Sequence, residues 1–551
     1  MSPFTQSVPF ITLVKVGTSQ GFLGKAAMML RLGTVAALVG FVSFQASFAG
    51  ELSHSAALDT IRKEDVKRHV DILADDSFEG REAGSRGGRA AGNYLEGLFS
   101  KYGLKPAGDN GTFFQLFHGG SRNILGILPG EKGADEGDLI VVGAHYDHVG
   151  YGSRSNSFGP FGYVHNGADD NASGTAALLE VVQALTEMKA KPKRTILFVL
   201  WDGEEKGLLG SKYWVEHPTV QWDRIRLYVN LDMVGRLRPQ GVEVYGTRTL
   251  PGLRQKIARA NMTSDLKLDF RWEMTDNSDH YTFYSRSIPT LMFHTGLHGE
   301  YHRPQDDAHL INHDGVQAVA RLTAETIWEE ANRDVFPAFR TRSRLESESE
   351  RKRFEVARSV NRSRLGIRWN SEQQQAGQGL LIASVTPDGP ASRGGVQAGD
   401  RLVEFAGIPL TSVEEFLAQV QAAPMNVVLK VEREGEEEPL PLEVTLNLNP
   451  APVGISWTND PAEPGSIMLT NVTTGSVADL AGLKPLDRVY EVNGFPVESS
   501  DHFKHLVTQY QDPTTLLVDR QGHMLQVQLP LEAIRSLLNT AEETAEPEVQ
   551  P

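Results

Sequence analysis

The chain has 551 residues, 40% of them apolar, a formal net charge of −16 and no cysteine. The length allows three or four domains with ordinary cores. The charge argues against nucleic acid or anionic membrane surfaces as partners, and the missing cysteines exclude disulfides, thiolate zinc sites and a lipidated N-terminal Cys.

Near the N-terminus, Lys25 and Arg31 precede an uncharged, mostly apolar stretch, Leu32–Phe48, that ends in Ser-Phe-Ala-Gly. This reads as a signal peptide cleaved after Ala49, so residues 1–49 stand outside fold reasoning and the mature protein is expected to be exported, periplasmic or secreted. An uncleaved membrane anchor is the alternative, although the stretch is short for a span. The residues ahead of it make Met28 or Met29 the expected initiator. From Val66 to Phe117 the pattern is helical and includes Gly80-Arg81-Glu82-Ala83-Gly84-Ser85, expected to shape a pocket rim.

Three apolar runs then read as buried strands: Leu139 to Ala144, Thr195 to Trp201 and Ile225 to Leu231. Between them Ala172 to Leu185 has helical spacing, and Gly207 to His217 reads as a shorter helix. Alternating strand and helix predicts an α/β fold, a mostly parallel sheet flanked by helices. In such sheets ligands gather beyond the carboxyl ends of the strands.

At or just past those ends stand metal-capable side chains, in the order His145, Asp169, Glu205 and Asp232, with His302 further on. Imidazole and carboxylate suit zinc, a carboxylate can bridge two ions, and two ions need about this many ligands. Asp147, two residues after His145, is placed to accept the proton of the second ring nitrogen and fix the tautomer. Glu204 and Glu205 are adjacent after a strand and point in different directions, so one can bind metal while the other handles protons.

The segments GAHYDHVG, NGADDNASG, WDGEEKGLLGS, NLDMVG, SDH and YHRPQDD, in this order, resemble the M28 family of co-catalytic zinc peptidases over roughly residues 55 to 335. The resemblance implies the zinc exopeptidase fold and two zinc ions, one held by His145, Asp169 and Asp232, the other by Asp169, Glu205 and His302. Asp169 is then the bridge, Glu204 the general base, and the bond between Asp169 and Asp170 is expected to be cis. Asp279 and His280 match the Ser-Asp-His segment and are expected to border the substrate pocket, whereas His148, His165 and His294 are expected to be structural. Aminopeptidase action on peptides is the implied activity. A carboxypeptidase or dipeptidase on the same metals is an alternative, and glutaminyl cyclases share the architecture with one zinc.

Past this region, Arg340 to Arg364 is mostly charged and is expected to be a linker, in part helical. A repeat follows, since GVQAGDRLVEFAGIPL at Gly395 to Leu410 aligns without gaps to GLKPLDRVYEVNGFPV at Gly482 to Val497, a period of 87 residues. Each copy opens on Leu-Gly-Ile or Val-Gly-Ile, runs into a strand (Leu380 to Val385, Ile467 to Val472), and later carries a helix (Val413 to Gln421, Ser499 to Gln509). This resembles a tandem of PDZ domains, which take an extended peptide on a sheet edge. Gly366 and Gly454 are the candidates to hold its terminal carboxylate, so peptides or protein C-termini are the expected partners. The expected organisation is a signal segment at 1–49, a peptidase domain at 50–338, a linker at 339–364, PDZ-like domains at 365–450 and 451–535, and an acidic tail at 536–551. The reading from another class is a peptide-binding adaptor whose peptidase unit is idle.

Overall fold

Buried apolar runs dictate the centre of the molecule. A computed structural model describes residues 54–360, 363–369, 379–509 and 513–538; the expected signal segment and nearly all of the acidic tail lie outside them. Among the described residues no helix is long and apolar enough to cross a membrane.

The strands Leu139–His145, Thr195–Trp201 and Ile225–Leu231 form where their runs predict, and Thr290–His294 joins them in parallel. They form the heart of a nine-stranded mixed sheet, with Arg122–Leu128 added antiparallel at the Thr195 side and Val242–Tyr245 and Leu268–Arg271 at the other. Period-two alternation sends Ile140, Val142, Ala144, Phe198 and Val229 to one face and Val141, Leu197, Val199, Trp201 and Tyr228 to the other, all at 0% exposure. Each such aliphatic side chain contributes about 1.5–3 kcal/mol on burial.

Helices Lys63–Leu73, Gly174–Glu187 and His313–Asn332 cover the first face, and Leu209–Glu216 covers the second. The chain leaves the central Leu139–His145 strand for one neighbour and then crosses to the other. This reversal makes the carboxyl end of that strand a topological switch point, where an open crevice forms.

Two smaller sheets follow, with matching pairings: Ile367–Trp369 and Ile455–Thr458 each run antiparallel to the next strand, Leu380–Val385 or Ile467–Thr473, and the remaining strands follow in the same order. Their common ancestry of form shows in an ion pair kept at the sequence period. Arg433 binds Asp400 and the carbonyl of Gly395, as Arg520 binds Asp487 and the carbonyl of Gly482.

The charged segment expected to be a linker is folded. Ser347 and Glu350 form a capping box on helix Glu348–Phe354, and Arg358–Val360 lies as a parallel strand beside Ile467–Thr473. Its half-buried charges are paired. Arg340 and Arg248 both grip Glu346, and Arg351 reaches Asp269 at 2.6 Å and Glu355 at 2.9 Å.

The second small domain is bound to the large α/β domain by buried polar contacts. Arg248 forks onto Asp460 at 2.8 and 3.0 Å and stacks over Trp272. Arg254 bonds Asp519 at 2.7 Å, and the Glu463 carboxylate accepts the amides of Arg254 and Gln255 at the start of helix Leu253–Ala260. Paired in this way, charges that would be costly alone become specific fasteners.

Candidate metal centre and active site

Two clusters of metal-capable atoms sit beyond the carboxyl ends of the parallel strands. One joins His145, Asp170 and Asp232; the other joins His148, Asp170, Glu205 and His302, the atoms of each lying within 4.8 Å of one another. His145, on the last residue of its strand, places Nε2 3.3 Å from Asp232 Oδ1 and 3.3 Å from Asp170 Oδ1. His302 places Nε2 3.0 Å from Asp170 Oδ2 and 3.1 Å from Glu205 Oε2. Asp170 thus offers one oxygen to each cluster.

This departs from the sequence expectation by one residue. Asp169 is turned away: its Oδ1 accepts the Gly235 amide at 2.6 Å and the Ser173 hydroxyl at 3.0 Å, and its Oδ2 faces His298 Nε2 at 3.2 Å. Neighbouring residues in this loop project to opposite sides, and Asp169 is the one that bonds back to Gly235 and Ser173. The cis peptide bond likewise lies one residue later than expected, between Asp170 and Asn171.

His148, expected to be structural, belongs to the second cluster, with Nδ1 2.8 Å from Glu205 Oε1. It orients that carboxylate or adds a nitrogen to the set. Its signal in the sequence was its place in His-Tyr-Asp-His, three residues after His145. His165 is hydrogen-bonded to Ser157 and the Tyr163 carbonyl, and His294 accepts the Gly296 amide, both structural roles.

Asp147 does more than the spacing suggested. Its carboxylate accepts the amides of Glu204 at 3.1 Å and Glu205 at 3.4 Å, fixing the turn that carries both acids. His145 Nδ1 lies 3.2 Å from the Asp147 carbonyl and 3.7 Å from its carboxylate. Asp279 and His280 are fully buried. Burial pushes the Asp279 carboxyl up to about 7 and the His280 imidazole down to about 4.

Three anchors were missed by sequence reasoning. Arg81, buried, donates to the carbonyls of Leu73, Tyr146, Asn166 and Gly167, clamping the His145 and Asp170 loops together. Asp306 accepts the amides of Asp169 and Asp170 through one oxygen. Asn171 accepts the amides of Gly174 and Met233, linking the Asp170 loop to the Asp232 loop. All join positions at least 60 residues apart or cross a sharp turn, which no local pattern announces.

The electrostatics call for cations. Burial drives the Glu204 carboxyl well above its ordinary range, reinforced by Glu205 and Asp279 and opposed by His145. Burial opposes charge on His302, but Asp170 and Glu205 outweigh it and lift the imidazole to about 10. His302 Nε2 is nevertheless buried without a hydrogen bond in line, although two carboxylate oxygens are close. A ring nitrogen so placed among converging oxygens fits a ligand to a divalent ion, and a mixed nitrogen and oxygen set is that of zinc.

Residues 123–327 match the profile of Peptidase family M28, and residues 381–433 match that of a PDZ domain. That longer segment is similar to the M28 peptidases. Among curated relatives, aminopeptidase YwaD of Bacillus subtilis (strain 168) is 30% identical over 227 residues, 39% of this chain and 46% of that protein. Leupeptin-inactivating enzyme 1 of Streptomyces exfoliatus is 28% identical over 228 residues, covering 41% of this chain and 47% of that one. The chain therefore spans about half the length of these relatives. The solved LapA aminopeptidase of Legionella pneumophila is 22% identical, with a TM-score of 0.44 over 51% of this chain and 75% of that one. The M28 profile spans both clusters, from Asn123 on the first long strand to Ile327 in the last long helix.

In the PDZ domain, a cavity of about 590 Å³ lies between strand Ile367–Trp369 and helix Val413–Ala422, lined by Gly366, Ile367, Trp369, Phe416, Leu417 and Val420. Gly366 and Gly454 have φ of +80° and +78°, a conformation that favours glycine at the head of each such strand. The corresponding gap in the second domain is tied across: Trp457 Nε1 donates to Ser500 at 2.7 Å and its ring packs edge-on to Phe503.

Proposed function

We propose that this protein is an exported di-zinc aminopeptidase that removes N-terminal residues from peptides, with the first PDZ-like domain recruiting peptides or partner C-termini. The observation that carries the reading is the sharing of Asp170 between two ligand clusters, with Glu204 beside the ligand Glu205. His145, Asp170 and Asp232 would hold one zinc, and Asp170, Glu205 and His302 the other, with His148 buttressing Glu205. Zinc held there supplies Lewis acidity, making water acidic enough to lose a proton near neutral pH and polarising the scissile carbonyl.

The chain supplies the proton handling. Glu204 takes a proton from the attacking water and returns it to the leaving amine, a role suited to a carboxyl whose proton affinity burial has raised. Asp147 fixes the Glu204 amide, so the carboxylate is delivered from a set backbone position. Arg81 and Asp306 hold the loops so that little rearrangement accompanies substrate binding.

The PDZ-like domains divide their labour. The open groove of the first supports peptide binding with Gly366 at the carboxylate end. The second, with Gly454 in the equivalent place, serves as an anchor, because Trp457 crosses its groove and its other side is fastened by Arg248, Arg254 and Glu463. Export would yield a mature chain starting at Gly50, which N-terminal sequencing checks.

Mass-spectrometric cleavage of a peptide panel in free, N-acetylated and C-amidated forms tests the activity. Stepwise loss from free N-termini that acetylation abolishes supports the aminopeptidase; trimming blocked only by amidation replaces it with a carboxypeptidase. Glu204→Gln should lower kcat by about 10²–10⁴-fold with zinc content unchanged. A chain that binds peptides yet cleaves none would leave an adaptor working through its PDZ groove.

A further inference from the structure

Between the His148 and Asp170 motifs runs a loop that exposes four aromatic rings: Tyr151 at 48%, Phe158 at 63%, Phe161 at 46% and Tyr163 at 63%. Single exposed apolar residues need no explanation, but four within thirteen positions form a patch. The loop is tied down at several points. Gly162 donates its amide to the Tyr151 carbonyl at 2.8 Å, and Arg303 donates to the carbonyls of Phe158 and Gly159. Ser157 Oγ and the Phe158 amide both donate to the His302 carbonyl, at 3.0 and 3.1 Å. The aromatic surface is therefore fastened to the backbone of a residue of the second cluster, and the Phe158 ring stands 6.3 Å from the His302 ring and 6.2 Å from Tyr301.

We infer that the loop from Tyr151 to Tyr163 is the platform for the peptide beyond its first residue, so that the enzyme favours apolar side chains at the second and third substrate positions. The inference rests on the aminopeptidase reading. Rings exposed to this degree cannot enclose the residue held at the metals; they can meet only the part of the substrate that projects outward. Distance agrees, since an extended chain advances about 3.3–3.6 Å per residue. Two residues from the scissile bond thus reach past His302 to Phe158 and the loop that also carries Phe161 and Tyr163. Because the loop is pinned in place, rings meet the substrate without an ordering cost at the moment of binding.

The test compares wild type with the Phe161→Ser/Tyr163→Ser double variant on leucine amide, Leu-Gly-Gly-Gly and Leu-Phe-Val-Gly, both peptides with free amines, with N-acetylated Leu-Phe-Val-Gly as control. Neither substituted ring belongs to the ligand clusters, and both face solvent, so folding is spared. Wild type should cleave Leu-Phe-Val-Gly with a kcat/KM about tenfold above that for Leu-Gly-Gly-Gly, largely through KM. The variant should lose that preference while keeping leucine amide hydrolysis unchanged. Equal kcat/KM for the two peptides in wild type, an undiminished preference in the variant, or losses of equal size on all three substrates would overturn the inference while leaving the aminopeptidase intact. Hydrolysis of the acetylated peptide with none of leucine amide would instead sink the aminopeptidase reading, and this inference with it.

Discussion

Asp306 holds Asp170 from 136 residues away: one carboxylate oxygen accepts the Asp170 amide at 3.0 Å and the Asp169 amide at 2.9 Å. The backbone of the shared ligand is therefore set by a side chain that need not touch metal. Asp306→Ala should weaken zinc binding by about 10–100-fold, the usual cost of losing such support, and Asp306→Asn, which keeps an acceptor oxygen, should fall between. Zinc competition against a chelator reads both, and unchanged affinity in the alanine variant would refute the role.

The two adjacent aspartates should separate cleanly. Asp170→Asn removes an oxygen charge facing both clusters, so zinc stoichiometry should drop toward zero. Asp169→Asn keeps an oxygen for the Gly235 amide and Ser173 hydroxyl and should retain most of its metal. Elemental analysis of the dialysed proteins decides, and the reverse order would restore Asp169 as the bridge.

Arg81 bonds four backbone carbonyls in a buried setting, and burial pulls its guanidinium down to about 10. Arg81→Ala leaves those acceptors unsatisfied at about 1–3 kcal/mol each, without strict additivity. A loss of about 3 kcal/mol should lower the unfolding midpoint by about 6–12 °C. Thermal scans at matched zinc concentration check this.

Glu463 lies at the join between the second small domain and the large α/β domain. Burial raises its carboxyl to about 7, opposed by Arg488 and by the amide of Arg254. A carboxyl whose folded pKa exceeds its unfolded value binds protons more tightly when folded, so its contribution is complete below the unfolded pKa and is lost as pH rises through about 7. Docking should accordingly be firmer at pH 5.5 than at pH 8. Glu463→Gln should flatten the difference, as read by limited proteolysis at the two pH values.

The parallel strands were legible because continuous Val, Ile and Leu runs have few alternatives to a buried sheet. His145, Glu205 and Asp232 were legible because strand ends deliver them to one crevice. The choice between Asp169 and Asp170 was not, since adjacent carboxylates carry the same composition and only the contacts of Gly235 and Ser173 show which one is turned away. Apart from the Arg81 bond to Leu73, Arg81 and Asp306 act through bonds spanning 65 to 137 residues, which periodicity cannot reveal. The charged segment misled for a related reason: composition counts the charges of Arg340, Glu346 and Arg351 but not the partners that fold brings to them.

Two strands bracket the first PDZ-like domain, Arg358–Val360 before it and Ile455–Thr458 after it, and both pair with the single strand Ile467–Thr473. The domain thus leaves and re-enters the molecule at one place, as a cassette held at a common clasp. Such a cassette can diverge in what it grips, or be exchanged, while the clasp and the metal centre stay as they are. On the proposed function, peptide recruitment and bond cleavage are then free to evolve separately within one polypeptide.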